Sequence, residues 1–166
     1  MDIVIIGSGT VAAVLGRKFK LAGHHILRIY SRNASAASEL AYEWDTESTN
    51  YKTMINSNAD LYLIAVNDDS ISDVIKDLRL PEKIVVHTAA SVPKEILQPV
   101  SNHFGVFYPL QSLRKEMTAI PDAPIFIDGS DEKTKAVLDK LAHSIADEKV
   151  IQAGDDARLK LHVAAV

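Results

Sequence analysis

Residues 2–16 read DIVIIGSGTVAAVLG, and this stretch decides the fold. A short apolar run stops at Gly7-Ser8-Gly9, and apolar residues then return at helical spacing. This order predicts a buried β-strand, a tight turn and an α-helix. In the pattern G-x-G-x-x-A, the small residues Gly7, Gly9 and Ala12 permit the turn, a close approach of the backbone to a pyrophosphate, and helix–strand packing.

The turn is predicted to place a dinucleotide pyrophosphate at the N-terminus of the helix. Free backbone N–H groups and the helix dipole favour negative charge there. The alternative is that the two glycines only form a tight turn between a strand and a helix.

The second informative stretch is the end of the next predicted strand, residues 25–30, which runs into Ser31-Arg32-Asn33. Enzymes that prefer NAD place an acid here, roughly 20 residues beyond the glycines, to bind the ribose 2′-hydroxyl. That acid is missing, and Arg32 offers charge-assisted hydrogen bonds to a 2′-phosphate. The pattern predicts NADP as the cofactor. The alternative makes Arg32 a solvated charge, and Ser31 and Asn33 helix N-caps.

Composition narrows the class of protein. The chain has 166 residues, 47% of them hydrophobic, a net charge of −4 and no cysteine. This predicts a globular protein with a sizeable core, and argues against nucleic acid or an anionic membrane as its main partner. It also excludes disulfides and thiolate chemistry. The sequence shows neither a signal peptide nor a membrane span, so a cytoplasmic location is expected.

Strand and helix patterns alternate along the chain, which predicts a doubly wound, mostly parallel sheet of the Rossmann type. The Rossmann-like domain is expected to span 1–153, and 154–166 to begin a helical second domain. Asp68 and Asp69 are expected to cap a helix rather than bind a metal. The predicted helices cover 10–22, 35–44, 71–78, 93–100, 131–146 and the terminal stretch from 155. The later predicted strands cover 61–66, 83–87, 104–108, 125–127 and 148–152. Residues 45–52 are expected to form a mobile loop.

The glycine turn, the Ser-Arg-Asn strand end and the segments VNDDSI, HTAAS, YPLQS and KLHVAAV give the chain a family resemblance. It resembles the N-terminal domain of the Rossmann-like oxidoreductases whose helical C-terminal domain is of unknown function. That family is similar to pyrroline-5-carboxylate reductases, deazaflavin-linked NADP reductases and β-hydroxyacid dehydrogenases. The resemblance implies a homodimer paired through the helical C-terminal part.

The resemblance also implies site residues. It places the pyrophosphate at Gly7, Ser8, Gly9, Thr10 and Val11, the 2′-phosphate at Ser31, Arg32 and Asn33, and the ribose and nicotinamide against Val66 and Asn67. Polar or shaping positions around the crevice are implied at His87, Ser91, Pro109, Gln111 and His162.

Two histidines are candidates for proton transfer. Hydride transfer needs a group that exchanges a proton with the substrate heteroatom, and histidine titrates near neutral pH. His87 is a candidate because it ends a predicted strand, where ligands of such sheets bind. His162 is a candidate from the resemblance. The alternatives are that His87 hydrogen-bonds backbone at the strand terminus and that His162 packs at a helix interface.

The sequence therefore predicts an NADP-dependent oxidoreductase that transfers hydride between NADPH and a small carbonyl or imine substrate. A non-catalytic NADP-binding sensor or scaffold is the alternative. A methyltransferase with an adenosyl cofactor is disfavoured, because such enzymes usually have an acid at the position of Ser31.

Overall fold

A computed structural model describes residues 1–55, 58–110, 114–116, 123–147 and 149–165. Within these ranges the chain forms one sheet with helices on both faces. The strands are β1 (Asp2–Ile6), β2 (His25–Tyr30), β3 (Glu47–Thr49), β4 (Leu61–Ile64), β5 (Ile84–His87), β6 (His103–Pro109), β7 (Ile125–Gly129) and β8 (Val150–Gln152). The α-helices are α1 (Thr10–Leu21), α2 (Ala34–Trp44), α3 (Ile71–Ile75), α4 (Glu132–Ala146) and α5 (Asp155–Ala165).

The order of the strands in the sheet is β3-β2-β1-β4-β5-β6-β7-β8. Neighbouring strands are parallel except for β6 and β7, which are antiparallel. The predicted doubly wound, mostly parallel fold is confirmed. The chain leaves β1 toward one edge and returns to β4 on its other side, and ligands of such sheets bind outside the carboxyl ends of the strands at this switch point.

Strand β1 is an interior strand of the sheet, between β2 and β4, and is buried on both faces. Its side chains alternate between two cores, as the period of a strand requires. Ile3 and Ile5 contribute to the cluster that includes α1, α2 and α4. Val4 and Ile6 contribute to the cluster on the opposite face, with α3 and the segment after β5. The uninterrupted apolar run of this strand follows from that double burial.

Three predicted elements differ from the structure. Residues 45–52 are not simply a loop, because β3 pairs there with β2. Its sequence is polar since it is an edge strand in which only Thr49 is buried. The helix predicted over 71–78 ends at Ile75, and the helix predicted over 93–100 is a 3₁₀-helix of four residues, Lys94–Leu97.

Among the described residues, no helix combines the length and the apolar character that crossing a membrane would require.

Gly105→Ala is expected to destabilise the protein by about 1–3 kcal/mol, the usual cost of overpacking. A Cβ at Gly105 would lie 2.2 Å from the carbonyl oxygen of Asp128 on the paired strand β7. Gly154→Ala is the control, since a Cβ at Gly154 has no heavy atom within 4 Å. Urea unfolding of both variants checks this. Equal stability of the two variants would contradict the close approach of β6 and β7.

Candidate cofactor and active site

A cavity of about 580 Å³ opens at the carboxyl ends of β1, β2 and β4. It brings together all ten residues that the sequence predicted for cofactor binding: Gly7, Ser8, Gly9, Thr10, Val11, Ser31, Arg32, Asn33, Val66 and Asn67. The sequence reasoning missed Tyr30, Ala65, Asp68, Ser70, Val74 and Thr88, which complete the wall. Their chain positions, next to or shortly after predicted strand ends, are the signal that would have found most of them.

The glycine turn forms the floor of the cavity. Gly7 has φ +125°, and a Cβ there would lie 2.1 Å from the carbonyl oxygen of Ala65, so only glycine fits. Gly9 has an ordinary extended backbone, and a Cβ there would meet no heavy atom within 4 Å. The N-terminus of α1 has neither a side-chain cap nor an acid in its first turn. Its first N–H groups therefore remain available to an anion.

The end of β2 forms the second wall, and hydrogen bonds between side chains brace it against the turn. The hydroxyl of Ser31 lies 2.8 Å from that of Ser8 and accepts a 3.1 Å hydrogen bond from the backbone N–H of Asn33. Asn33 caps α2 by accepting from the N–H of Ala36 at 3.0 Å, so the N-cap interpretation of Asn33 is correct. Ser31 does not cap the helix but connects the strand end to the turn.

Arg32 lies at the exposed rim of this wall. One of its terminal nitrogens donates to the hydroxyl of Ser70 at 3.2 Å, across the cavity mouth. A guanidinium has five N–H donors in a planar fork, which suits a phosphate. The rim therefore carries a positive group where β2 ends.

The third wall follows β4 and includes Asp68. The carboxylate of Asp68 accepts a 3.0 Å hydrogen bond from the hydroxyl of Ser91, which places Ser91 beside the cavity. Asp68 and Asp69 lie in the first turn of a 3₁₀-helix, Asp68–Ser70. The sequence predicts that both act as caps, whereas the carboxylate of Asp68 connects two loops through its hydrogen bond with Ser91. No group of potential metal ligands occurs within the described ranges.

His87 is fully buried at the end of β5, and both of its ring nitrogens contact the backbone. The N–H of Ala89 donates to Nδ1 at 3.1 Å, and Nε2 lies 3.3 Å from the carbonyl oxygen of Pro93, to which it donates. Burial lowers the pKa of His87 from 6.5 to about 4. This is the geometry of the backbone-bonded alternative. The neutral ring has no free nitrogen for a substrate.

Because His87 is buried, the free energy of unfolding is expected to decrease as the pH is lowered from about 6.5 to 4. Its folded pKa lies below the unfolded value, so its contribution is complete above pH 6.5 and is lost as pH falls through 4. The loss is about 3 kcal/mol at 1.36 kcal/mol per unit. Urea unfolding at a series of pH values should show this slope in the native chain and a flatter one in His87→Gln. Parallel curves would contradict it.

His162 lies on α5 and is half-buried, and its Nδ1 is 2.6 Å from the phenol oxygen of Tyr108 on β6. The two rings pack edge to face with centroids 5.8 Å apart. Sequence reasoning missed Tyr108, since 54 residues separate the partners and no local pattern connects them. Gln111, the other predicted crevice residue, lies outside the described residues.

Arg158 fastens α5 to the loop after β5. Its side chain is 1% exposed, and it donates to the carbonyl oxygens of Ala90 at 2.9 Å and Val92 at 2.7 Å. It also lies 2.8 Å from the carboxylate of Asp155. The loop held in this way contains Ser91, the partner of Asp68. Arg158 thus keeps α5 and the cavity rim in a fixed relation.

Comparison with known proteins identifies a family that this chain matches. Residues 2–91 match the model of a family described as NADP oxidoreductase, coenzyme F420-dependent. No curated protein gives a significant match.

Solved structures share the fold over nearly the whole chain. A Bacteroides fragilis protein assigned as an NADP oxidoreductase is 32% identical, with a TM-score of 0.90 over 99% of this chain and 65% of its own. A Streptococcus pyogenes 1-pyrroline-5-carboxylate reductase is 17% identical, with a TM-score of 0.73 over 94% of this chain and 59% of its own. An Aspergillus terreus reductive aminase, solved with NADPH and ethyl-5-oxohexanoate, is 14% identical, with a TM-score of 0.75 over 98% and 59%. The chain thus spans less than two thirds of the length of these proteins.

Proposed function

We propose that this chain, which belongs to the family of NADP oxidoreductases described as coenzyme F420-dependent, transfers hydride between NADPH and a small carbonyl or imine substrate. The cofactor NADP and the oxidoreductase class follow from the family. The substrate class is our proposal. The single observation that carries the proposed NADPH-dependent hydride transfer is the cavity that joins the glycine turn, the uncapped N-terminus of α1 and Arg32.

The residues present fit this cofactor. The open space above Gly9 accepts a group that any side chain would obstruct, and the free N–H groups of α1 suit a pyrophosphate. Arg32 at the rim suits a 2′-phosphate, and the end of β2 carries no acid that would repel it. Val66 and Asn67 then form the wall beside the ribose and nicotinamide. NADPH, when bound, supplies the hydride.

Support for the substrate class comes from the relatives. The Streptococcus protein is named for reducing 1-pyrroline-5-carboxylate, and the Aspergillus protein was solved with a ketone. Both are less than 25% identical to this chain, so the likeness itself shows the fold, and the substrate class is carried over from them as a proposal. A carbonyl or an imine is the group that a hydride donor reduces with one accompanying proton, which the chain must provide.

One observation favours a second candidate, a sensor or scaffold that binds NADP without turnover. Both ring nitrogens of His87 are engaged by the backbone, which removes one predicted proton-transfer residue.

Under either candidate function, we propose that the protein assembles as a homodimer paired through the helical C-terminal part. Light scattering of the full chain tests it, and a monomeric mass would contradict it.

The absorbance of the reduced nicotinamide tests the two candidates. NADPH is mixed with the chain and with 2-oxo acids, aldehydes, cyclic imines and oxidised coenzyme F420, which the family description names. The oxidoreductase is expected to oxidise NADPH with at least one carbonyl or imine. NADPH binding without oxidation by any compound would favour the sensor, and no NADPH binding would contradict both.

A further inference from the structure

We propose that Tyr108, positioned by His162, is the general acid that donates a proton to the substrate heteroatom. This inference rests on the proposed function, since it assigns a residue to the proton step of that reaction. The observation behind it is the 2.6 Å hydrogen bond between the Tyr108 phenol oxygen and His162 Nδ1. It is a contact between two proton-transfer groups from different elements, β6 and α5.

The fold places Tyr108 at the carboxyl edge of the sheet. Val106 is the partner of His87 in the pairing of β5 and β6, so Tyr108 stands two residues beyond the end of β5. At about 3.3 Å per residue this is roughly 6–7 Å further toward the edge where ligands of such sheets bind. Because strand side chains alternate, Tyr108 shares the face of Phe104, which packs on the same core as α3.

Charged residues of the cavity wall and of α5 act on the phenol of Tyr108. Burial raises the pKa of Tyr108 above 10.0, and the carboxylate of Asp68 raises it further, while Arg158 lowers it. Asp68 lines the cavity and Arg158 belongs to α5, so the phenol is close enough to both elements for their charges to act on it. The phenol therefore stays protonated at neutral pH and is able to donate.

The proton balance of the step is simple. As hydride reaches the substrate carbon, the electron pair of the double bond moves to the oxygen or nitrogen. That atom takes the proton of the Tyr108 phenol, and the O–H bond breaks. The phenolate is then reprotonated from Nδ1–H of His162 while Nε2 of the same ring takes up a proton from solvent, so the imidazole stays neutral. The substrate is reduced, and NADPH is oxidised.

Other polar groups near the cavity are less suited to this role. His87 is fully buried, with both ring nitrogens on the backbone. Ser91 donates its hydroxyl proton to Asp68, and an ionised carboxylate only accepts. Tyr108 alone among these four residues combines a transferable proton with a titratable partner behind it.

The first test requires no substrate. Tyrosine rings are isotope-labelled, and the NMR signal of Tyr108, identified by its loss in Tyr108→Phe, is followed during titration with NADP⁺ or with 2′,5′-ADP, which lacks the nicotinamide. NADP⁺ is expected to shift the Tyr108 signal, whereas 2′,5′-ADP shifts the amides of Gly9 and Arg32 but leaves Tyr108 unchanged. The exposed Tyr42 and Tyr51 serve as internal references.

The outcomes separate the two proposals. If NADP⁺ shifts the Gly9 and Arg32 amides but leaves Tyr108 unmoved, the assignment of Tyr108 is overturned while cofactor binding stands. If neither ligand shifts any of these signals, the proposed function has failed, and the assignment of Tyr108 fails with it.

The second test uses turnover with a compound that the wild-type chain reduces. Tyr108→Phe is expected to lower kcat about 10²- to 10⁴-fold, the usual contribution of general acid catalysis, with unchanged NADPH affinity. His162→Ala should change the pH profile of kcat more than KM, and His162→Gln should restore part of the rate by keeping a hydrogen bond to the phenol. Tyr42→Phe is the matched control. Full activity of Tyr108→Phe would overturn the assignment.

Discussion

Gly9→Ala is expected to weaken NADPH binding about 10- to 100-fold without changing the stability of the fold. That loss corresponds to about one charge-assisted hydrogen bond, roughly 1.5–3 kcal/mol. Gly9 has φ −81°, which alanine adopts freely, and a Cβ there meets no protein atom within 4 Å. The added methyl group would instead enter the cavity, where we propose that the pyrophosphate approaches the backbone. Calorimetric titration with NADPH, together with urea unfolding of the free chain, measures both effects.

Gly7→Ala provides the contrast on the same turn. Its Cβ would lie 2.1 Å from the carbonyl oxygen of Ala65, at φ +125°, so this variant is expected to lose stability before any ligand is added. A Gly9→Ala chain that binds NADPH as well as the wild type would contradict the placement of the pyrophosphate. A destabilised Gly9→Ala chain would contradict the description of the turn.

Arg32→Ala is expected to lose most of the preference for NADPH over NADH, about 10- to 100-fold in affinity. The guanidinium stands at the rim of the cavity where β2 ends, and its Ser70 contact holds it across the mouth. Binding of NADH should hardly change, since NADH has no phosphate at this position. Titration with 2′,5′-ADP and with 5′-AMP isolates the effect, because the two probes differ by the 2′-phosphate alone.

The control for Arg32→Ala is Lys20→Ala. Lys20 is an exposed cation at the end of α1, so its removal changes the net charge equally but leaves the cavity intact. If both variants weaken 2′,5′-ADP binding to the same extent, the effect is one of overall charge and the role of Arg32 is contradicted.

The central part of the fold could be predicted because its local patterns agree with its burial. The run from Ile3 to Ile6 is buried on both faces, and the turn after it contains the one glycine whose φ and surroundings admit no side chain. The edge strand β3 could not be predicted, because it is polar and its pairing with β2 depends on backbone hydrogen bonds. The length of α3 was overestimated, because the apolar pattern in the sequence continues beyond Ile75, where the helix ends.

The candidate site divides in the same way. The residues predicted to bind the cofactor follow strand ends that the sequence reveals, and the structure collects them in one cavity. The candidate proton-transfer groups depend on tertiary contacts. Whether His87 faces a ligand or the backbone is decided by the path of the loop at Ala89 and Pro93. Tyr108 and His162 meet only because α5 folds back onto β6.

The most direct measurement of the central claim is calorimetric titration of the wild-type chain with NADPH and, separately, with NADH. We expect NADPH to bind about one to two orders of magnitude more tightly, because its 2′-phosphate meets Arg32. Equal affinity for the two cofactors, or a preference for NADH, would contradict the account of the cavity.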